Sequence, residues 1–137
     1  MANGIRAVVT GLVVWVVITI VAGPIMRGAW SEYAAVADAM TFTLPMMLAR
    51  LSIGGLATIA AGYATALVAW RATPAILATG VILLGLFIPQ HVMLWDKYPI
   101  WYHLTFLLSL VPLTYGGGKI ASRWQTARVP RRQQAMP

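Results

Sequence analysis

The chain has 137 residues, of which 60% are hydrophobic and 9% are charged, with a formal net charge of +7 and no cysteine. A charged fraction far below the roughly 25% of soluble domains excludes an ordinary soluble protein, and the length allows one compact unit. The lack of cysteine excludes thiol–disulfide chemistry, thiolate metal sites and a cysteine nucleophile. These properties predict an all-α, polytopic integral membrane protein.

The first predicted transmembrane helix covers residues 7–26, an uncharged run between Arg6 and Arg27. Twenty helical residues rise about 30 Å, which matches the hydrocarbon core of a bilayer. A signal peptide is the alternative, because a basic residue precedes the apolar run. That alternative is disfavoured, since the run exceeds the roughly 7 to 15 apolar residues of a signal peptide.

A loop from Arg27 to about residue 43 separates the first two spans. Within it, SEYAAVADAM predicts a short amphipathic helix on the membrane surface, with Ser31 as its N-cap. Alternatively the second span begins early, because residues 41–49 are also apolar and Pro45 is tolerated in a first helical turn.

The start of the second span decides the environment of Arg50. A helix that starts near Leu44 places Arg50 about 9 Å deep, where it needs a partner. A helix that starts near Arg50 leaves the side chain at the interface, where it reaches into the lipid headgroups. The interfacial placement is the favoured prediction.

The second span, predicted over residues 46–70, has a ridge of small residues. Every fourth position along one face is small: Gly54, Thr58, Gly62 and Ala66. Such a ridge lets another helix backbone approach closely. We therefore expect this helix to be the centre of the bundle, and the ridge to pack against other spans, a partner protein or a second copy.

The third and fourth spans are predicted over residues 75–95 and 100–118. The turns before each are short, so consecutive spans are expected to be antiparallel neighbours in a four-helix bundle. The run Gly116–Gly118 either ends the last helix or lets a neighbour approach. His103 shares its side of this helix with Leu107, Leu110 and Thr114, nearly opposite Thr105 and Ser109.

Residues 119–137 form a basic tail after the transmembrane domain of residues 1–118. The tail holds five of the ten basic residues and no acidic residue. Four spans put both termini on one side, and the positive-inside rule makes that side cytoplasmic. Lipid headgroups are the expected partners of four tail arginines: Arg123, Arg128, Arg131 and Arg132. Nucleic acid is therefore not needed to explain the positive charge of the tail. The predicted location is a bacterial cytoplasmic membrane.

Polar side chains collect at the outer end of the predicted bundle: Arg50, Gln90, His91, Asp96, Tyr102 and His103. They form either a pocket, with Arg50 paired to Asp96 and His91 as a ligand or proton acceptor, or an interfacial band of headgroup-facing residues. The band is the favoured interpretation. No metal site is predicted, because no third ligand has the usual spacing.

A haem or pigment held by His91 and His103 is a further alternative. It is disfavoured because a tight hairpin separates its helices by about 8 to 10 Å, which leaves little space for a macrocycle. No cofactor is therefore predicted.

The sequence favours a role without catalysis. No acidic residue lies inside a predicted span, and Ser109 does not share the face of His103, so a hydrolase triad is not expected. The favoured function is an accessory or interaction subunit of a membrane complex, or a homo-oligomer. A small transporter or channel with an outer polar pocket is the first alternative, and a haem- or pigment-binding protein is the second.

Overall fold

The computed structural model describes residues 2–70 and 72–133, with side chains described through Arg128. Its helices are α1 (Ala2–Ala29), α2 (Ser31–Ala37), α3 (Leu44–Ala69), α4 (Thr73–Met93) and α5 (Ile100–Gln133), with a 3-10 turn at Trp95–Lys97. The predicted all-α class is confirmed.

Four of the five helices are long and apolar enough to cross a membrane: α1, α3, α4 and the part of α5 up to Arg128. Large aliphatic side chains cover their outer surfaces, such as Val13, Leu56 and Leu108. In water this much exposed apolar surface would be unfavourable, whereas in lipid it is the expected exterior.

Helix α3 is the centre of the bundle and packs mainly against α1 and α5. Its small-residue ridge is buried over its whole length, at Gly54, Thr58, Gly62 and Ala66. A side chain at Gly62 would overlap the backbone of Thr114, and one at Gly117 would overlap the backbone of Ile59. The ridge therefore serves the packing of this chain on itself, and it is not free for a partner protein or a second copy.

The two alternatives for the loop before α3, a short helix and an early start of the second span, occur together. The short helix α2 forms within the predicted amphipathic segment, and α3 nevertheless begins at Leu44, with Pro45 in its first turn. The favoured prediction, a helix starting near Arg50, is wrong. Arg50 lies in the second turn of α3, and its side chain is partly buried.

Helix α5 is longer than the predicted fourth span, because its three glycines do not end it. The helix continues to Gln133, and Ala121 packs against Ala66 and Ile76 beyond the glycines. Gly117 instead allows the close contact with α3, and Gly118 lies against Ile76 of α4. Of the four tail arginines, Arg123 and Arg128 are exposed, and the side chains of Arg131 and Arg132 lie outside the described residues.

Candidate functional site

A cavity of about 310 Å³ lies at the end of the bundle where α2 and the α4–α5 connection are found. All four long helices and α2 contribute to its walls. Its volume is at the lower end of the 300 to 1,000 Å³ that small-molecule sites occupy. Six of the lining side chains with polar atoms lie at its outer level: Tyr33, Arg50, Gln90, His91, Tyr98 and Tyr102.

Arg50 is held in place by aromatic residues. Its Nη1–H donates to the hydroxyl of Tyr33 at 2.6 Å, and its Nε–H donates to the hydroxyl of Tyr102 at 3.5 Å. The guanidinium carbon lies 4.7 Å from the centre of the Phe42 ring, within cation–π range. These contacts fix the position of the cation at the cavity wall, but none of them supplies a negative charge.

Arg50 and Asp96 do not form the ion pair that the pocket alternative required. Asp96 lies exposed in the 3-10 turn and does not line the cavity. Within the described part of the chain, the ion pair that forms is Arg27–Asp38, at 2.8 Å on the surface. Arg50 is thus a partly buried cation beside a cavity, without a carboxylate in contact among the described residues.

Tyr33 and Phe42 are the Arg50 partners that sequence reasoning missed. Tyr33 is only 4% exposed, because the apolar face of α2 packs it against Ala37 and Met46. Its ring stacks on Phe42 with 5.1 Å between ring centres. The amphipathic pattern predicted the short helix α2, but it did not indicate that the Tyr33 hydroxyl would accept a hydrogen bond from Arg50.

His91 and His103 form a direct pair. Their Nδ1 atoms are 2.7 Å apart, and Nε2 of His103 lies 3.3 Å from the carbonyl oxygen of Trp95. A carbonyl only accepts, so His103 carries its proton on Nε2 and, when neutral, accepts at Nδ1. His91 must then donate from Nδ1, which leaves its Nε2 as an acceptor.

The histidine pair does not present two nitrogens to a shared metal or macrocycle. An ion held by two imidazole nitrogens at about 2.0 to 2.1 Å each would separate them by about 3.3 Å in a tetrahedral site and about 4 Å when they lie on opposite sides, both above the 2.7 Å between the Nδ1 atoms. His103 is fully buried against Trp95 and does not line the cavity. His91 does line the cavity, and it stacks on Phe106 at 4.7 Å.

Tyr98 adds a second hydroxyl that sequence reasoning did not place at the site. It lies in the α4–α5 connection, is buried, and lines the cavity. Burial raises the pKa of the Tyr98 hydroxyl, and the nearby Arg50 cation partly opposes this rise. The hydroxyl therefore stays neutral at physiological pH and is able to donate a hydrogen bond.

The deeper part of the cavity is apolar and largely aromatic. Phe87 and Phe106 lie one helical turn below His91 and Tyr102, and their rings meet edge to face at 5.3 Å. Trp15 packs against Phe87 at 4.7 Å, and its Nε1–H donates to Thr58 Oγ1 at 3.0 Å. This bond satisfies the indole N–H and fixes the ring as the floor of the cavity.

The structure thus brings together four of the six predicted polar residues, namely Arg50, Gln90, His91 and Tyr102. Asp96 and His103 lie outside the cavity lining. Among the described residues, no three histidine or acidic side chains come close enough to hold a metal ion.

Comparisons of the chain with protein-family models, curated protein sequences and solved structures give no significant match.

Proposed function

We propose that the four long helices cross a bacterial cytoplasmic membrane as an antiparallel bundle, with both termini in the cytoplasm. The positive-inside rule supports this orientation, because seven basic residues then lie inside and three outside. The outer three are Arg27, Arg50 and Lys97, and all three acidic residues lie on the same side. In this orientation the cavity lies at the outer face of the membrane.

We further propose that the protein is a non-catalytic membrane protein that binds a small anionic molecule in this cavity, as a small transporter would. The observation that carries the proposal is the position of Arg50, a cation beside a cavity without a carboxylate partner among the described residues. A charge at this depth is costly unless it is compensated, and an anionic ligand would compensate it.

The surroundings of Arg50 fit an anion better than a cation or a neutral molecule. Guanidinium groups bind carboxylate or phosphate oxygens through charge-assisted hydrogen bonds, and the neutral Tyr98 hydroxyl adds a donor nearby. Trp15, which donates its hydrogen bond to Thr58, lies at the inner end of the cavity. A cavity that ends on packed side chains fits a binding site better than an open channel.

A thermal-shift screen tests this proposal. The purified protein is heated with a set of small organic acids and, in parallel, with their uncharged amides. A bound ligand raises the melting temperature, because it stabilises only the folded state. We expect acids to raise it and the matched amides to have little effect. Equal shifts for acids and amides, or no shift with any acid, would contradict the proposal.

The matched variants are Arg50→Gln and Arg27→Gln, which remove cations at the same end of the molecule. Charge-assisted hydrogen bonds contribute about 1.5 to 3 kcal/mol, so Arg50→Gln should weaken acid binding by roughly ten- to a hundredfold. Arg27 lies on the surface beside Asp38, and its replacement should leave the affinity unchanged. Arg50→Lys keeps the charge and controls for a loss of folding, because it should retain part of the affinity.

The role of an accessory subunit, favoured by the sequence, is the second candidate. The observation in its favour is the outward side of α5, where Thr105 and Pro112 are exposed and Ser109 and Gly116 are partly exposed. A neighbouring helix of a partner would fit against these small side chains. Native mass measurement of the complex extracted in mild detergent tests this role, and a chain that always emerges alone would contradict it.

A further inference from the structure

We infer that the ligand of the cavity is amphipathic, with an oxyanion head at Arg50 and an apolar body that reaches down to Trp15. This inference rests on the proposed function and adds the class of the ligand. It follows from the two different levels of the cavity wall.

The outer level carries the charge and the hydrogen-bonding groups. Arg50 and His91 both lie against Tyr102, which places the cation and the His91 ring on neighbouring parts of the same wall. An oxyanion that binds Arg50 there also lies near Tyr98, which is able to donate to it. An acceptor remains at His91 Nε2, so a hydroxyl group next to the acid head would find a partner.

The inner level of the cavity carries no charged side chain and no unused hydrogen-bond donor among its described lining residues. Phe87, Phe106 and Ile53 line it, and the indole N–H of Trp15 is already bonded to Thr58. The hydroxyl of Thr19 donates to carbonyl oxygens of its own helix, at Trp15 and Val16. A polar ligand would leave its own groups unpaired at this depth, whereas an apolar body would bury surface against the aromatic rings.

The volume of the cavity limits the size of the apolar body. At about 310 Å³ it lies at the lower end of the range of small-molecule sites. A body the size of a phenyl ring with a short linker fits this space, but a full lipid chain does not. The matching class is a small aromatic or short-chain acid, and bilayer fatty acids are the competing source of the same chemistry.

The test compares the affinities of four probes for the purified protein in nanodiscs. They are 4-phenylbutyrate, acetate, 4-phenylbutyramide and palmitate. We expect 4-phenylbutyrate to bind at least tenfold more tightly than each of the other three. Acetate lacks the apolar body, the amide lacks the charge, and the chain of palmitate is too large for a cavity of about 310 Å³.

Two glycines of α1 provide a matched pair of variants. A Cβ atom added at Gly23 or at Gly28 meets no other atom within 4 Å, but only Gly23 lines the cavity. Gly23→Leu should therefore fold and fill part of the space for the apolar body, weakening 4-phenylbutyrate about tenfold. Gly28→Leu should have no effect on binding.

Trp15 gives an independent readout. Its fluorescence should change when 4-phenylbutyrate binds, and Trp15→Phe should remove most of the change, whereas Trp124→Phe on the exposed surface of α5 should retain it.

The outcomes separate the two proposals. Acid binding that depends on Arg50 but is as tight for acetate as for 4-phenylbutyrate would overturn the amphipathic ligand and leave the anion site intact. Tighter binding of palmitate would overturn the limit on size and identify a bilayer lipid as the ligand. If the amide binds as tightly as the acid, the anion site itself fails, and with it this inference.

Discussion

Individual side chains at the outer end of the bundle are held by specific partners, and the histidine pair shows this most clearly. The carbonyl oxygen of Trp95 accepts only, so it determines the tautomer of His103 and, through the bond between the two Nδ1 atoms, that of His91. A backbone group outside the cavity thereby decides that His91 presents an acceptor to the cavity.

This arrangement predicts the tautomers of both rings. The chain has two histidines, so a sample labelled with ¹⁵N-histidine contains two rings, and a His103→Gln variant assigns them. At neutral pH we expect His103 in the Nε2–H form and His91 in the Nδ1–H form. Nitrogen chemical shifts that show both rings in the Nε2–H form would contradict the bond between the two Nδ1 atoms.

The sequence placed both histidines at the outer end of the bundle but not their contact. Helical periodicity correctly put His103 on the side of Leu110 and Thr114, and this side turned out to be buried. Periodicity gives directions around one helix, whereas the pairing depends on how α4 and α5 are rotated against each other. That rotation is determined by packing across the bundle, which no single segment encodes.

Helices α3 and α5 meet at two glycines, Gly62 and Gly117, where the backbones are in contact. The sequence indicated the small-residue ridge of α3 but not what would cover it. Small residues permit close packing against any helix, whether it belongs to the same chain, to a partner protein or to a second copy. The interpretation of Gly116–Gly118 had the same ambiguity, because glycine both ends helices and permits close contact.

Neighbouring glycines of α5 offer a direct test of this contact. A methyl group at Gly117 would overlap the backbone of Ile59, whereas one at Gly116 meets no atom within 4 Å. Overpacking typically costs about 1 to 3 kcal/mol, so Gly117→Ala should lower the free energy of unfolding by that amount. Gly116→Ala should leave it unchanged or slightly higher. Reversible unfolding by SDS in bicelles measures both, and equal stability of the two variants would show that α3 and α5 do not meet there.

The molecule as a whole has a polar cavity at one end and a strongly basic surface at the other. The number and order of the long helices could be predicted, because uninterrupted apolar length is read directly from the sequence. The start of α3 and the end of α5 could not. The cavity could be predicted only in part, since Tyr33, Tyr98 and Trp15 reach it from three separate segments.

The proposed orientation predicts where reporters will be found. Fluorescent tags at the amino and carboxyl ends should both be active in the cytoplasm, and a tag inserted after Asp96 should be accessible from outside. The reason is that seven of the ten basic residues flank the ends of the spans on the side of the termini. Tags at the two ends that report opposite sides of the membrane would refute four crossings.

The uninterrupted course of α5 has a consequence for the membrane surface. Its 34 residues extend about 50 Å at 1.5 Å per residue, whereas the hydrocarbon core is about 30 Å thick. In the membrane orientation proposed above, about 20 Å of this helix would extend beyond the acyl chains unless tilting shortens its length along the membrane normal. Ala121 packs against α3 and α4 near the start of this extension. The heights of Arg123 and Arg128 above the bilayer would therefore depend on the tilt of the whole bundle.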